Sequence, residues 1–287
     1  MQIASNKVQD LISFYETELK DIYEPNEIRF IVQQSFKHFV NFSNADLITK
    51  RNDNLNQSDL INLYDCCKAL KQNQPLQYIL GETEFFGLIF KVNRSVLIPR
   101  PETEELVELI LKDMDKPATL IDIGTGSGCI PVSIKKNRSD WYVSAIDISE
   151  EALEVAKQNA KLNTVEIDFL KKNILSNNEA KDLGSFDVIV SNPPYIAKQE
   201  AVQMDERVKN FEPHLALFVE DSDALLFYRK IIDFCKEHLN LKGSLYFELN
   251  PIYGNAVKTL AEDSKLFAEV NLLKDLSGNI RFLKAIR

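Results

Sequence analysis

At 287 residues the chain is long enough for two domains, or for one with a sizeable extension. Its 45% apolar and 27% charged residues are ordinary for a globular protein, and no apolar run approaches the roughly 20 residues of a membrane span. A net charge of -9 argues against a broad basic face, and so against duplex DNA as the main partner. The opening residues, Met1-Gln2-Ile3-Ala4-Ser5-Asn6-Lys7, have neither a basic n-region nor an apolar h-region, so a signal peptide is not expected and a cytoplasmic location is. Cys66 and Cys67 are adjacent while Cys129 and Cys235 stand alone, which is neither a disulfide nor a metal framework. His38, His214 and His238 have no zinc-ligand spacing, and no metal is expected.

The first 73 or so residues read as helical. Val8, Leu11, Ile12, Tyr15, Leu19 and Ile22 recur at helical steps after Ser5, a candidate cap. Pro25-Asn26 breaks that pattern, and Ile28, Ile31, Val32, Phe36 and Phe39 begin a second. A short segment follows at 45–49, and Ser58 is the expected cap of a helix bearing Ile61, Tyr64, Cys67 and Leu70. With no strand pattern, residues 1–74 are predicted to form a helical bundle, either a substrate-recognition module, the reading placed first, or a stabilising cap. Residues 75–97, with Tyr78-Ile79-Leu80-Gly81 and an aromatic run from Phe85 to Val92, predict a β-hairpin linker. In Pro99-Arg100-Pro101 two prolines fix the backbone around Arg100 before an acidic helix that runs to about Met114.

Within the expected third domain, 98–287, strands then alternate with helices, the mark of an α/β fold with a mostly parallel sheet. Strands are predicted at 119–123, 143–147, 165–169, 186–191, 244–249, 269–273 and 280–285, and helices near 129–137, 150–162, 223–239 and 252–263. The stretch 191–222 is a long connection, and long connections in compact domains are usually functional.

The first of these strands runs into Gly124-Thr125-Gly126-Ser127-Gly128. Glycines there permit a tight turn and close approach of a ligand. A dinucleotide fingerprint would want its third glycine at 129, where this chain has Cys129. The G-x-G-x-G spacing disfavours NAD and suits a nucleoside ligand without phosphates, such as S-adenosylmethionine. Asp147, 23 residues after Gly124, ends the second strand where an acidic residue accepts the ribose hydroxyls. Asp122 is a softer candidate for orienting the loop or a bound amino group.

The apolar run Phe186-Asp187-Val188-Ile189-Val190-Ser191 stops at Asn192-Pro193-Pro194-Tyr195, because neither proline can donate to a ladder. Asn192 is thereby set at the end of a buried strand, where open α/β sheets hold their ligands. Its side-chain carbonyl and a nearby proline carbonyl can hold an –NH2 group by both hydrogens, and Tyr195 offers an aromatic face to a planar substrate.

Taken together, Pro75-Leu76-Gln77-Tyr78-Ile79-Leu80-Gly81, Leu97-Ile98-Pro99-Arg100-Pro101-Glu102-Thr103-Glu104, the 122–128 loop, Ser191-Asn192-Pro193-Pro194-Tyr195-Ile196 and Phe211-Glu212-Pro213 resemble the N5-glutamine methyltransferases that modify class I peptide chain release factors. The resemblance covers nearly the whole chain. It implies a Rossmann-like class I S-adenosylmethionine-dependent methyltransferase domain with a seven-stranded sheet, and methyl transfer to the glutamine of the substrate's Gly-Gly-Gln motif. It implies Asn192, Pro193, Pro194 and Tyr195 as catalytic and substrate-binding, and Gly124, Thr125, Gly126, Ser127, Gly128, Asp147 and Asn192 as cofactor-binding. Asn173-Ile174 stands where relatives often carry an acidic residue and an aromatic. Asn173 is then expected to bond the adenine amino group and Ile174 to cover the ring without stacking.

Asn-Pro-Pro-Tyr also occurs in adenine-N6 methyltransferases acting on DNA or RNA, which is the main rival reading. That rival wants a basic groove and aromatic stacking for a flipped base. A catalytically silent module would show damage to the glycine loop, Asp147 or Asn192, and all are intact. The expected enzyme is a monomer with no membrane contact and no stable hold on nucleic acid.

Overall fold

The computed structural model describes residues 5–176, 178–197, 206–219 and 223–287, so the expected long connection lies outside the described residues at 198–205 and 220–222. Two compact units emerge, Met1–Gly81 with Glu206–Phe211, and Glu82–Asp205 with Glu212–Arg287.

The first unit contains α1 (Val8–Leu19), α2 (Pro25–Val40), α3 (Asn44–Thr49), α4 (Gln57–Leu70) and α5 (Leu76–Leu80). The start and stop of each follow from backbone bookkeeping. Pro25 opens α2, where a missing N–H is harmless, and Glu24 and Glu27 form a reciprocal capping box. Asn41, left-handed at φ 57°, ends it. Ser5 does not cap α1; its hydroxyl turns to Asp10, and Lys7 stands at the cap without a side-chain bond. Nor does Ser58 cap α4, because Asn56, two residues earlier, accepts the Asp59 N–H at 2.9 Å. The apolar faces meet in a core that includes Leu11, Tyr15, Phe36, Leu63 and Leu70, with both adjacent cysteines buried in it. Tyr15 joins it because its hydroxyl finds the Leu63 carbonyl at 2.6 Å.

Tyr78-Ile79-Leu80 is helical rather than extended. Pro75 precedes the turn of α5, and Gly81, at φ 70°, stops it in the left-handed conformation only glycine adopts freely. The hairpin therefore begins one step later, with β1 (Glu82–Phe85) and β2 (Leu88–Lys91) in antiparallel register in the second unit.

The second unit continues with α6 (Pro101–Asp113), β3 (Thr119–Ile123), α7 (Cys129–Asn137), β4 (Tyr142–Asp147), α8 (Glu150–Leu162), β5 (Asp168–Lys171) and β6 (Phe186–Ser191). After the Asn-Pro-Pro-Tyr corner come β7 (Ile196–Ala197), α9 (Glu206–Phe211), which belongs to the first unit, α10 (His214–Leu217) and β8 (Phe218–Val219). The short β7 and β8 pair in parallel. Then follow α11 (Leu226–His238), β9 (Leu239–Glu248), α12 (Gly254–Asp263), β10 (Glu269–Lys274) and β11 (Ile280–Ile286).

Seven strands form one sheet in the order β10-β11-β9-β6-β3-β4-β5, parallel except for β11. The third predicted strand starts three residues late, at Asp168, because Thr164 is left-handed at φ 59° and the Val165 N–H is still bonded to the Ala160 carbonyl of α8. Alternate residues of the central strands feed opposite cores. Ile121, Ile189, Leu245 and Phe247 pack with Ile231 of α11 and Val257 of α12. Leu120, Val188, Val190 and Tyr246 pack with Leu106 of α6, Ile130 of α7 and Phe90 of the hairpin. Burial on both faces is why these strands read as unbroken apolar runs.

Candidate active site

The chain leaves β3 toward β4 through α7, and later returns on the other side of β3 as β6. The two crossovers part at the C-terminal ends of β3 and β6, the switch point where such sheets bind ligands. The glycine loop and the Asn192 corner sit there, and Ser191 ties the strand ends together by donating its hydroxyl to the Ile123 carbonyl at 2.6 Å.

The loop's shape is set by Gly124, Gly126 and Gly128, all at positive φ. Gly124 and Thr125 both donate to the Ile146 carbonyl, at 2.9 and 3.1 Å. Gly126 donates to Asp147 Oδ2 at 2.8 Å, while Asp147 Oδ1 accepts from Ser149 at 2.9 Å. Each carboxylate oxygen keeps a second lone pair for a ligand hydroxyl. A Cβ at Gly124 or Gly126 would meet nothing within 4 Å, so these turns leave room for a ligand to approach the backbone. Gly128 serves differently. It starts α7, and a Cβ there would come within 3.0 Å of the Ala156 Cβ, so the close-packing glycine of the turn sits one residue before the position a dinucleotide fingerprint would use.

Gly124, Thr125, Gly126, Ser127, Asp147, Asn173, Ile174, Asn192, Pro193 and Pro194 all line one cavity of about 350 Å³, within the range of small-ligand pockets. Gly128 and Tyr195 are not on its lining. Tyr195 packs against the core on the α11 side, and burial beside Glu248 pushes its hydroxyl up to about 12, so it stays protonated. Among the described residues the Asn192 side chain makes no hydrogen bond, which leaves its carbonyl open as an acceptor. Thr125 also lines the cavity, and its hydroxyl is buried without a partner among those residues. Asn173 Oδ1 accepts the Leu175 N–H at 2.9 Å, turning the chain so that residues 173–175 border the same cavity. Open acceptors, an orphaned hydroxyl and apolar walls fit a nucleoside ligand such as S-adenosylmethionine.

Arg100 and Pro213 border the cavity as well, and buried Glu212 joins their segments. Its carboxylate takes the Arg100 guanidinium at 2.5 Å and the Ile98 N–H at 3.3 Å. Burial raises its carboxyl, and the Arg100 charge opposes that rise. Two further carboxyls lie deeper. Asp122 is pushed up to about 7 by burial, with Asp147 adding to the rise; the Thr125 hydroxyl opposes it but is outside hydrogen-bonding geometry. Glu248, at the end of β9, is likewise pushed up to about 7 by burial and accepts the Thr103 hydroxyl at 2.7 Å. Thr103 and Ser191 enter the sequence reading only as members of the 97–104 and 191–196 stretches, because nothing local marks their hydroxyls as partners of Glu248 and Ile123. The only signal was polarity itself, as in Leu245-Tyr246-Phe247-Glu248-Leu249.

A doubly wound sheet in this order, with a glycine turn at the switch point and an acidic residue on the next strand, defines a Rossmann-like class I S-adenosylmethionine-dependent methyltransferase domain. Comparison with known proteins agrees. A family described as methyltransferase small domain matches residues 102–211, and one described as PrmC N-terminal domain matches residues 10–81. A methyltransferase from Pyrococcus furiosus of known structure superposes with a TM-score of 0.51 at 22% identity, covering 70% of this chain and 90% of that one. The release factor glutamine methyltransferase of Flavobacterium psychrophilum is 44% identical, covering 96% of this chain and 98% of its own. That of Bacteroides thetaiotaomicron is 39% identical, covering 96% and 99%. The chain belongs to the release factor glutamine methyltransferase family.

Proposed function

We propose that this chain transfers a methyl group from S-adenosylmethionine to the side-chain amide nitrogen of the glutamine in the Gly-Gly-Gln motif of class I peptide chain release factors. The observation that carries the reading is a single cavity bordered by the glycine loop, Asp147 and the open Asn192 carbonyl, in a chain of this family. Gly124, Thr125, Gly126 and Ser127 would hold the cofactor, Asp147 its ribose, and Asn173 and Ile174 its adenine. S-adenosylmethionine, when bound, supplies the electrophilic methyl.

The rest is the work of the corner. An amide nitrogen is a poor nucleophile because its lone pair is delocalised into the carbonyl. Asn192 Oδ1 and the Pro193 carbonyl accept its two N–H bonds, which aims the lone pair into the cavity. The same two dipoles stabilise positive charge as it develops on nitrogen. Pro194 packs against the amide plane, and Tyr195 backs the corner from the core side. No base is required beforehand, and the proton leaves to water after transfer.

Among the described residues no helix is long and apolar enough to cross a membrane. The reading carries with it a cytoplasmic monomer with no stable hold on nucleic acid. The test is transfer of labelled methyl to purified release factor, with DNA as a parallel acceptor and Asn192→Ala as a control. Label on the Gly-Gly-Gln glutamine, transferred far more slowly by the alanine variant, is the expected result. Label on DNA in its place would overturn the protein-substrate reading.

A further inference from the structure

Asn159 lies in the last turn of α8, fully buried, where an asparagine has no helical advantage. Its amide offers one strong acceptor and two donors, and all are used. Oδ1 accepts the Lys91 N–H at 2.6 Å. Nδ2 donates to the Lys91 carbonyl at 3.0 Å and to the Ser127 carbonyl at 2.9 Å. The side chain thus stands in for a strand at the last residue of β2, and with its remaining hydrogen grips the glycine loop.

The two segments it joins both lead to the lining of the cavity. Ser127 is part of the loop that borders it, while the chain beyond Lys91 supplies Ser95, Val96, Leu97, Pro99 and Arg100 to its lining. One turn further on, buried Asn163, the C-cap of α8, makes half of the same arrangement. Its Nδ2 donates to the Ile89 carbonyl of β2 and to the Asn159 carbonyl, each at 3.0 Å, and it does not bond to the glycine loop.

We propose that Asn159 is a positioning residue for cofactor binding, setting the distance between the glycine loop and the 91–100 segment. The inference rests on the reading that the cavity takes S-adenosylmethionine. Asn163 then separates this role from hairpin anchoring, because its loss removes a bond to β2 without touching the loop.

The experiment measures S-adenosylmethionine and S-adenosylhomocysteine affinity by calorimetry, with Tm alongside, for the full chain, Asn159→Leu, Asn159→Ala and Asn163→Leu. Both Asn159 variants are expected to raise Kd about tenfold, the loss of one buried hydrogen-bond anchor, while Asn163→Leu lowers Tm comparably but leaves Kd within about twofold. Equal Kd changes in the two series, or none in the Asn159 variants, would overturn the proposal. Should the Asn159 variants fail to fold, hydrogen exchange on the unmodified chain decides. Saturating cofactor is expected to slow the Lys91 amide about tenfold or more, by linkage through Asn159. An unchanged Lys91 rate overturns the bridge. An unmodified chain that binds neither ligand overturns the cofactor reading itself, and the proposal with it.

Discussion

The glycine loop and the Asn-Pro-Pro-Tyr corner end neighbouring strands, but they are held by different means. The loop is pinned by its backbone, with Gly124, Thr125 and Gly126 bonded to Ile146 and Asp147 of β4. Its side chains matter mainly by being absent. The corner is stiffened by the ring geometry of Pro193 and Pro194, and its Asn192 side chain is left open among the described residues. One is a conformational device and the other a chemical one. Substitutions in the first should act on affinity and stability, and substitutions in the second on rate.

The sharpest way to break that distinction is a crossed pair of variants. Asn192→Ala is expected to lower kcat by about 10²–10³-fold, with a much smaller change in cofactor Kd. Asp147→Ala should do the reverse, raising Kd roughly 10–100-fold while kcat at saturation stays within a few-fold. Single-turnover rates beside calorimetric Kd values check both, and parallel losses in both parameters for both variants would erase the comparison.

A smaller effect comes from Glu248, one residue past Phe247, the partner of Ser191 in the sheet. Its carboxyl ordinarily titrates near 4.5 and in the fold near 7, so the native state holds the proton more tightly than the unfolded chain. Stability should therefore fall as pH rises from about 4.5 through about 7. Glu248→Gln cannot titrate. Its Tm should match the parent at pH 4.5 and exceed it at pH 8, by at most about 3 kcal/mol of stability. A constant gap across pH would assign the destabilisation elsewhere.

The smallest effect tests the loop's backbone. Gly128→Ala puts a Cβ at φ 77° and 3.0 Å from Ala156, which should remove about 1–2 kcal/mol and a few degrees of Tm. An unchanged Tm would show that α7 and α8 can separate without loss.

Much of this was legible in the chain itself. The apolar strands at 119–123 and 186–191, the glycine spacing and the double proline each leave a local signature, and the structure sets them side by side. Other features depend on partners far along the chain. Ser58 looks as good a cap as Asn56, and Tyr78-Ile79-Leu80 as good a strand as a helix, until Gly81 is seen to be left-handed. That Asn159 meets Lys91 and Ser127, 68 and 32 residues away, is written in no local pattern. Nor does any local pattern show that Tyr195 packs against the core and lies off the cavity lining.

The place of β11 in the sheet has a consequence for how the molecule is made. β10 pairs only with β11, and β11 lies between β10 and β9. As the nascent chain emerges from a ribosome, β9 therefore presents an open edge that the next strand to appear cannot cover. The gap closes only when β11 arrives and carries β10 in with it. Until then an apolar edge built around Leu245, Tyr246 and Phe247 is exposed to other chains, the state in which sheet proteins aggregate.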